Sequence, residues 1–317
     1  MKLRRTDDQL QVHDIRQAPY LRDFVPQYLE DVKTRKRPET YRKEVHVLNR
    51  WVSALGGRRL NAIRKADILD FRASRLKEGT NPRTANIDVI VLRQLLKYAF
   101  DQDRIGSLPT VGLSPLKAVA RKREFVPPAD IDRLISCALT ASKNGRQVAD
   151  YLMLLRYSGG REKEVLRLRW KDVDFDRNQL VIGADGLSKN HEARIVDLNG
   201  SLRDHLADMN GRRAPDSQWL FPSPQRGEKD EHAKTFRESL RLARKAAGMP
   251  SFGFHDLRHA FCSAAVMAGI DFMTVARWLG HKDGGMLIGK VYGHIADDHR
   301  KRQAAKLDFT TKEPPTA

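Results

Sequence analysis

Asp172-Val173-Asp174-Phe175-Asp176-Arg177-Asn178-Gln179-Leu180-Val181-Ile182 and Glu192-Ala193-Arg194-Ile195-Val196-Asp197-Leu198 read as the two arms of an antiparallel hairpin in a chain that is otherwise helical. The first arm runs up, the second returns, and Ala193 and Ile195 flank the polar Arg194. Their connection, Gly186-Leu187-Ser188-Lys189-Asn190-His191, is turn-like and polar. On either side the apolar spacing switches to the helical period. Helices are expected over 131–139, 148–157 and 162–168 before the hairpin, and over 202–209, 235–247, 256–268 and 272–279 after it. The fold class is therefore mainly α with a small antiparallel β-hairpin or sheet (α+β).

Further out, the N-terminal part is helical too. Leu21, Phe24, Val25, Tyr28 and Leu29 recur at helical spacing, as do Val45, Leu48, Trp51, Val52 and Leu55, before Gly56-Gly57 ends that helix. A third opens at Asp67-Ile68-Leu69-Asp70-Phe71 and ends near Gly79. Asn81-Pro82 is a cap and first-turn pair, after which Ile87, Ile90, Val91, Leu95 and Tyr98 make an apolar stripe. Between these helices and the second helical series, Gly106, Pro109, Gly112 and Pro115 break the pattern, and Lys117, Arg121, Lys122 and Arg123 make it basic. The expected organisation is a polar tail at 1–17, a helical domain at 18–104, a basic linker at 105–127, a second domain at 128–309 and a disordered tail at 310–317.

Length and charge agree with this division. The 317 residues suit two domains, and 40% apolar residues are enough for sizeable cores. Cys137 and Cys262 show neither disulfide nor metal spacing and read as reduced thiols of an intracellular protein. Met1-Lys2-Leu3-Arg4-Arg5 is followed by Thr6-Asp7-Asp8 rather than an apolar stretch, and the longest apolar runs resemble Val89-Ile90-Val91-Leu92. Neither a leader nor a membrane span is expected. The net charge of +18 calls for a polyanionic partner, of which nucleic acid is the commonest. Residues 1–127 carry 27 basic and 15 acidic residues, a surplus of 12, against 31 and 25 in the remainder, a surplus of 6. That asymmetry points to one part gripping phosphates while the other performs chemistry.

Five elements bear on that chemistry. In Ser158-Gly159-Gly160-Arg161-Glu162-Lys163-Glu164 the glycines allow close backbone approach to a ligand, and Arg161 opens a helix, where Glu164 three residues on can orient it. Read alone, the pair is an ordinary surface ion pair. Lys189 stands in the hairpin turn, where a lysine is usually just solvated. In His255-Asp256-Leu257-Arg258-His259-Ala260-Phe261, His255 and Arg258 share one helix face while Leu257 and Phe261 point to the core. His255 and His259 have metal-pair spacing, but Arg258 beside them repels a cation and Asp256 stands where the zinc-protease pattern needs Glu. His281 follows a helix ending in Leu279-Gly280, a capping arrangement. Tyr292, in Val291-Tyr292-Gly293-His294, is alone no more than a half-buried packing tyrosine.

Taken together, Arg161, Lys189, His255-x-x-Arg258, His281 and Tyr292, with Glu164 at the acidic position after the first arginine, resemble the tyrosine recombinase (phage-type integrase) family in identity and order. The resemblance covers roughly 151–294. Two departures stand out: Ser158-Gly159-Gly160 replaces the usual Thr-Gly-Leu, and Lys282-Asp283-Gly284-Gly285 lengthens the interval from His281 to Tyr292. The resemblance implies a helical core-binding domain followed by an integrase-type catalytic domain. It implies site-specific DNA recombination, integration or excision, through a 3′-phosphotyrosine intermediate.

In the implied roles Tyr292 is the nucleophile, Arg161, Arg258 and His281 hold the phosphate, His255 is the best candidate to take the phenol proton and Lys189 is the general acid. No metal or other cofactor is implied. The partners are double-stranded recombination sites, a homotetramer formed on them, and accessory DNA-bending or directionality proteins. Lys117, Arg121, Lys122 and Arg123 are expected to touch DNA, and residues from Ile295 to Leu307 are expected to form an amphipathic helix that docks on a neighbouring protomer. A DNA-binding regulator or decayed integrase, and a type IB topoisomerase, are the competing readings. A metalloprotease is a remote one.

Overall fold

In the computed structural model the described residues are 18–118, 126–187, 192–223, 231–292 and Ala304. Contacts divide the chain into two compact units, Met1–Lys122 and Arg123–Ala317.

Among the described residues the first unit holds four α-helices, α1 (Leu21–Arg35), α2 (Pro38–Leu55), α3 (Lys65–Lys77) and α4 (Pro82–Asp101). Pro38 and Pro82 occupy first-turn positions, where the missing N–H leaves nothing unpaired, and the Asn81 side chain accepts from the Thr84 N–H at 2.9 Å. Leu21, Phe24, Tyr28, Val32, Leu48, Trp51, Leu92, Leu95 and Leu96 form the core. Trp51 stacks on Phe71, and its indole N–H donates to the Asp88 carbonyl at 2.9 Å.

The stripe read from α4 is rotated in the structure. Ile90 is 45% exposed, whereas Asp88 is 1% exposed and accepts from Arg50 at 2.5 Å and Arg75 at 3.1 Å. An apolar-only pattern misplaces such a face, because the inward position is a carboxylate neutralised by two guanidiniums from α2 and α3.

Much of the expected linker is fastened to this unit. Ile105 and Leu113 are buried in its core, Asn86 pairs with both the N–H and C=O of Leu116, and Arg72 and Arg93 donate to the Ser114 and Leu113 carbonyls. Lys117 is exposed. Arg121, Lys122 and Arg123 lie outside the described residues, as do the tails at 1–17 and 310–317.

The second unit contains α5 (Pro128–Ala141), α6 (Gly145–Ser158), α7 (Glu162–Leu166), β1 (Val173–Asp174), β2 (Gln179–Ile182), β3 (Arg194–Asp197), α8 (Gly200–Gly211), α9 (Arg237–Ala246), α10 (Phe254–Met267), α11 (Phe272–Leu279) and α12 (Met286–Tyr292). Helix α6 is buried on most sides and packs against α5, α8 and α10, with Tyr151, Leu152, Leu154 and Leu155 wholly buried. Tyr151 donates to the Glu162 carbonyl at 2.8 Å among Phe221, Phe236 and Phe254, and burial pushes its phenol well above the ordinary value. That hydroxyl is a structural donor.

The expected hairpin is a three-stranded antiparallel sheet in the order β1-β2-β3. The first arm breaks because Asp174 Oδ1 accepts from the Arg177 N–H at 2.8 Å and Asn178 takes φ 55°, a turn that these residues favour. Val173 then pairs with Leu180, Leu180 with Val196 and Ile182 with Arg194. In β3 the inward residues are Arg194 and Val196, while Ile195 is 51% exposed.

Helix α12 was not apparent from the sequence. Asp283 accepts from the Gly285 and Leu287 N–H groups and starts it, and Ile288 and Tyr292, four apart, form its buried face. The residues of the expected C-terminal helix other than Ala304 lie outside the described set.

Candidate active site

Helix α6 ends at Gly159, which takes the left-handed conformation, φ 62°. A Cβ there would lie 2.5 Å from Phe261 and 2.8 Å from Leu279, and one on Gly160 would lie 2.4 Å from Val165. The two glycines thus admit the protein's own side chains from α7, α10 and α11, not a ligand as the sequence suggested. What this close packing positions is Arg258. Its guanidinium, on a side chain 4% exposed, donates to the Gly159 carbonyl at 2.9 Å and the Leu279 carbonyl at 2.6 Å. It thereby joins the C-terminal ends of α6 and α11, where helix dipoles favour a cation. Burial, followed by the nearby charges of Arg161 and Arg194, holds Arg258 down at about 9, so it stays charged at neutral pH.

Gly280 caps α11 with φ 65° and delivers His281, whose Nε2 is 3.0 Å from Arg258. A guanidinium only donates, so Nε2 accepts and the ring proton is on Nδ1. Burial and then Arg258 depress the His281 pKa, consistent with a neutral ring. Nδ1 is buried and, among the described residues, has no hydrogen-bond partner. It is an unused donor beside the guanidinium.

Arg161 precedes α7 as its N-cap residue, with Glu164 at the third helical position. Glu164 Oε1 accepts from the Arg161 side chain at 2.9 Å and Oε2 from the Arg161 backbone N–H at 3.3 Å. Oε2 also accepts from Arg194 at 2.7 Å, and Arg194 Nε donates to the Trp278 carbonyl at 2.7 Å. Burial raises the Glu164 pKa, but the Arg194 and Arg161 guanidiniums outweigh it and hold the carboxyl below the ordinary range. Arg194 is the residue that sequence reasoning missed as a member of the site. Its signal was an inward-facing charge in a strand, legible only once the register is known.

Arg161, Arg194 and His281 line a cleft of about 630 Å³ with Glu192, Arg277 and Lys282. Three guanidiniums, Arg161, Arg194 and Arg258, face one buried carboxylate, so the site keeps a positive surplus suited to a phosphate. The Arg161 side chain, 28% exposed, is the most accessible of the three.

Tyr292 is 8% exposed, in a cluster with Cys262, Val266, Val275, Ala276, Leu279 and Ile288. Burial pushes the Cys262 thiol up to about 12, leaving it a neutral filler under the tyrosine. The Tyr292 hydroxyl is hydrogen-bonded to Nδ1 of His259, not to His255. His255 is exposed, with its ring centroid 4.6 Å from that of His259 in an edge-on arrangement. Lys189 lies outside the described residues. A separate cluster, Asp150, His205 and Asp208, has metal-like spacing, but Arg212 donates to both carboxylates and His205 Nε2 meets the Asp150 carbonyl, so guanidinium charge stands where a cation would.

Comparison with known proteins gives the family of the chain. Residues 124–299 match the phage integrase family and residues 20–74 match the phage integrase N-terminal SAM-like domain. The tyrosine recombinase XerD of Pseudomonas aeruginosa is 28% identical over 81% of this chain and 86% of its own length. The ICEBs1 integrase of Bacillus subtilis is 22% identical over 89% of this chain and 80% of its own. Among solved structures, the Tn1549 transposon integrase in complex with a circular intermediate DNA superposes with a TM-score of 0.72 at 15% identity, covering 91% of this chain and 99% of that one. A lambda integrase tetramer bound to a Holliday junction gives 0.70 at 15% identity, covering 85% and 80%. At such identities these superpositions establish the fold.

Proposed function

The chain belongs to the phage integrase family, matched over more than half its length, and is a tyrosine-type site-specific DNA recombinase; from that premise we propose the roles of its residues. Tyr292 attacks a DNA phosphodiester and forms a 3′-phosphotyrosine bond. The observation that carries this is the positive surplus at the cleft: three guanidiniums against one buried carboxylate, with a tyrosine hydroxyl bonded to the residue that follows Arg258.

In-line attack at phosphorus gathers negative charge on the non-bridging oxygens, and catalysis of such a step is mostly positioning and charge stabilisation. Arg161 and Arg258 present charged donors to those oxygens, and the Nδ1–H of His281 adds a neutral one. Glu164 and Arg194 hold Arg161 in place from behind. Lys189, between β2 and β3 in the sequence, protonates the departing 5′-oxygen. The phosphotyrosine bond conserves the energy of the phosphodiester, so a second 5′-hydroxyl reverses the step without a nucleotide cofactor.

Strand exchange requires cuts in two duplexes, and we assign the active species as a homotetramer on DNA. An apolar groove of about 640 Å³ lined by Ile131, Phe261, Ala264, Met267 and Trp278 supports the docking of a neighbour's C-terminal segment, residues 295–307. Lys117 and the basic run at 121–123 contact DNA phosphates. No helix among the described residues is long and apolar enough to cross a membrane, in keeping with work on intracellular DNA.

The test is covalent capture. A pool of nicked duplexes of randomised sequence is incubated with the protein, and denaturation-resistant adducts are recovered and sequenced. A recovered site, absent with Tyr292→Phe, is the expected result. Failure to capture any DNA leaves a binding protein only. Relaxation of supercoiled plasmid without recombinant product identifies a topoisomerase.

A further inference from the structure

The hydroxyl proposed as nucleophile already has a partner, and it is a residue to which the roles above give nothing. Nδ1 of His259 is hydrogen-bonded to Tyr292 Oη, with the rings 5.8 Å apart and inclined at 38°. Among the described residues that hydroxyl bonds to none of Arg161, Arg258 and His281. We infer that His259 is the proton acceptor of Tyr292 in DNA cleavage and returns the proton in strand joining. The inference rests on Tyr292 being the nucleophile.

Three features of the structure favour this assignment. His259 directly follows Arg258 on α10, so the helix backbone ties the phosphate-holding guanidinium and the tyrosine's partner to one rigid frame. Tyr292 belongs to the apolar cluster that holds Cys262, Val275 and Ile288, and among the described residues its hydroxyl is bonded to one side chain able to take a proton. His255, one turn earlier, supports the His259 ring edge-on from the exposed side.

Among the described residues, the charged and titratable groups about His259 on α10 are His255, Asp256 three residues earlier on the helix, Arg258, whose guanidinium is turned to Gly159, Leu279 and His281, and Cys262, whose thiol is kept neutral. Helix α12 supplies Tyr292 itself. Helix α11 supplies apolar Val275, Ala276 and Leu279 to the cluster, while its Arg277 lines the cleft with Arg161. On α6, the helix packed along the other side of α10, Tyr157 and Arg156 line the apolar groove with Phe261.

The step balances without a further reactant. The Tyr292 O–H bond breaks and its proton goes to Nδ1 of neutral His259 as the Oη–P bond forms. The P–O5′ bond breaks, and the 5′-oxygen takes a proton from Lys189. In joining, the incoming 5′-hydroxyl gives its proton to Lys189, attacks phosphorus, and the phenolate leaves with the proton held by His259. A phenol with an ordinary pKa of about 10 is scarcely ionised at neutral pH, so an acceptor acting during attack is worth about 100- to 10,000-fold in rate.

The test uses the full-length protein and the duplex recovered by covalent capture, with adduct formation followed in a single turnover at saturating protein. His259→Asn keeps a polar atom near the Nδ1 position but accepts no proton. It should bind the duplex as wild type does and form adduct about 100- to 10,000-fold more slowly. Replacing Tyr292 by a fluorinated tyrosine of lower pKa should restore much of that rate in the His259→Asn background while changing wild type little. A His259→Asn rate equal to or above wild type overturns the inference and marks the bond as a latch on a stowed tyrosine. A slow variant that the fluorinated tyrosine leaves slow also overturns it, since the role is then structural. Adduct formation by Tyr292→Phe sinks the nucleophile assignment instead, a separate outcome.

Discussion

Glu164→Gln tests the electrostatic frame of the site, because Glu164 is the buried carboxylate that Arg161 and Arg194 share. Its carboxylate is 4% exposed, Oε1 accepts from Arg161 at 2.9 Å, and Oε2 accepts from Arg194 at 2.7 Å. Glutamine has one acceptor oxygen where two are needed, and its amide turns a donor towards one of the guanidiniums. Removing one partner of a buried ion pair costs about 3–5 kcal/mol. Arg161, 28% exposed, keeps water, whereas the Arg194 side chain is 9% exposed, so most of the loss falls on Arg194. We therefore expect about 3 kcal/mol, the low end of the range for a broken buried pair.

For a unit of this size that is a fall in Tm of about 6–12 °C, readable by calorimetry in the transition of the larger unit. The pH dependence has a definite sign. Burial alone would raise the Glu164 pKa, but Arg194 and Arg161 hold it below its ordinary 4.5, so its stabilisation is complete above that value and is lost as pH falls through the folded one. The gap between wild type and variant should be constant near neutrality and close on acidification below about 4.5. A variant melting within 2 °C of wild type at pH 7, about 1 kcal/mol or less, would refute the account of a buried carboxylate bridging Arg161 and Arg194.

Gly159→Ala should lower stability by about 1–3 kcal/mol, because the new Cβ meets Phe261 at a positive φ; it should slow adduct formation too, since the Gly159 carbonyl anchors Arg258. In the smaller unit, Asp88→Asn leaves Arg50 and Arg75 short of their shared partner, and a loss of about 3 kcal/mol, with faster amide exchange confined to α2, α3 and α4, is expected. Truncation after Asp297 should leave adduct formation measurable while reducing tetramer assembly on DNA by light scattering and lowering the yield of recombinants. A truncated protein that recombines as a tetramer at the wild-type rate contradicts the docking role.

The sequence made the helical frame and most of the residues we propose for phosphate binding legible, and the reasons for its lapses are local. Arg161, Glu164, Arg258 and His281 are ordinary one by one and stand out as an ordered set, and the structure brings them together at the ends of α6 and α11. Arg194 escaped because apolar neighbours at 193 and 195 suggest the opposite strand face, and its inward charge makes sense only against Glu164, thirty residues earlier in the chain. His259 was weighed only as a metal partner of His255; its true neighbour, Tyr292, lies thirty-three residues on. The α4 stripe was misplaced for the same reason as Arg194, an inward Asp88 that apolar periodicity does not register. The arm before β2 was read as one strand because an Asx turn at Asp174 depends on a side-chain hydrogen bond rather than on hydropathy.

The central claim, that Tyr292 becomes covalently joined to DNA, is tested most directly by digesting the captured protein–DNA adduct with protease and nuclease and sequencing the modified peptide by tandem mass spectrometry. The account predicts a single modified peptide with a 3′-linked nucleotide on Tyr292. A nucleotide on another residue, or a bond to the 5′ end of the broken strand, would contradict it.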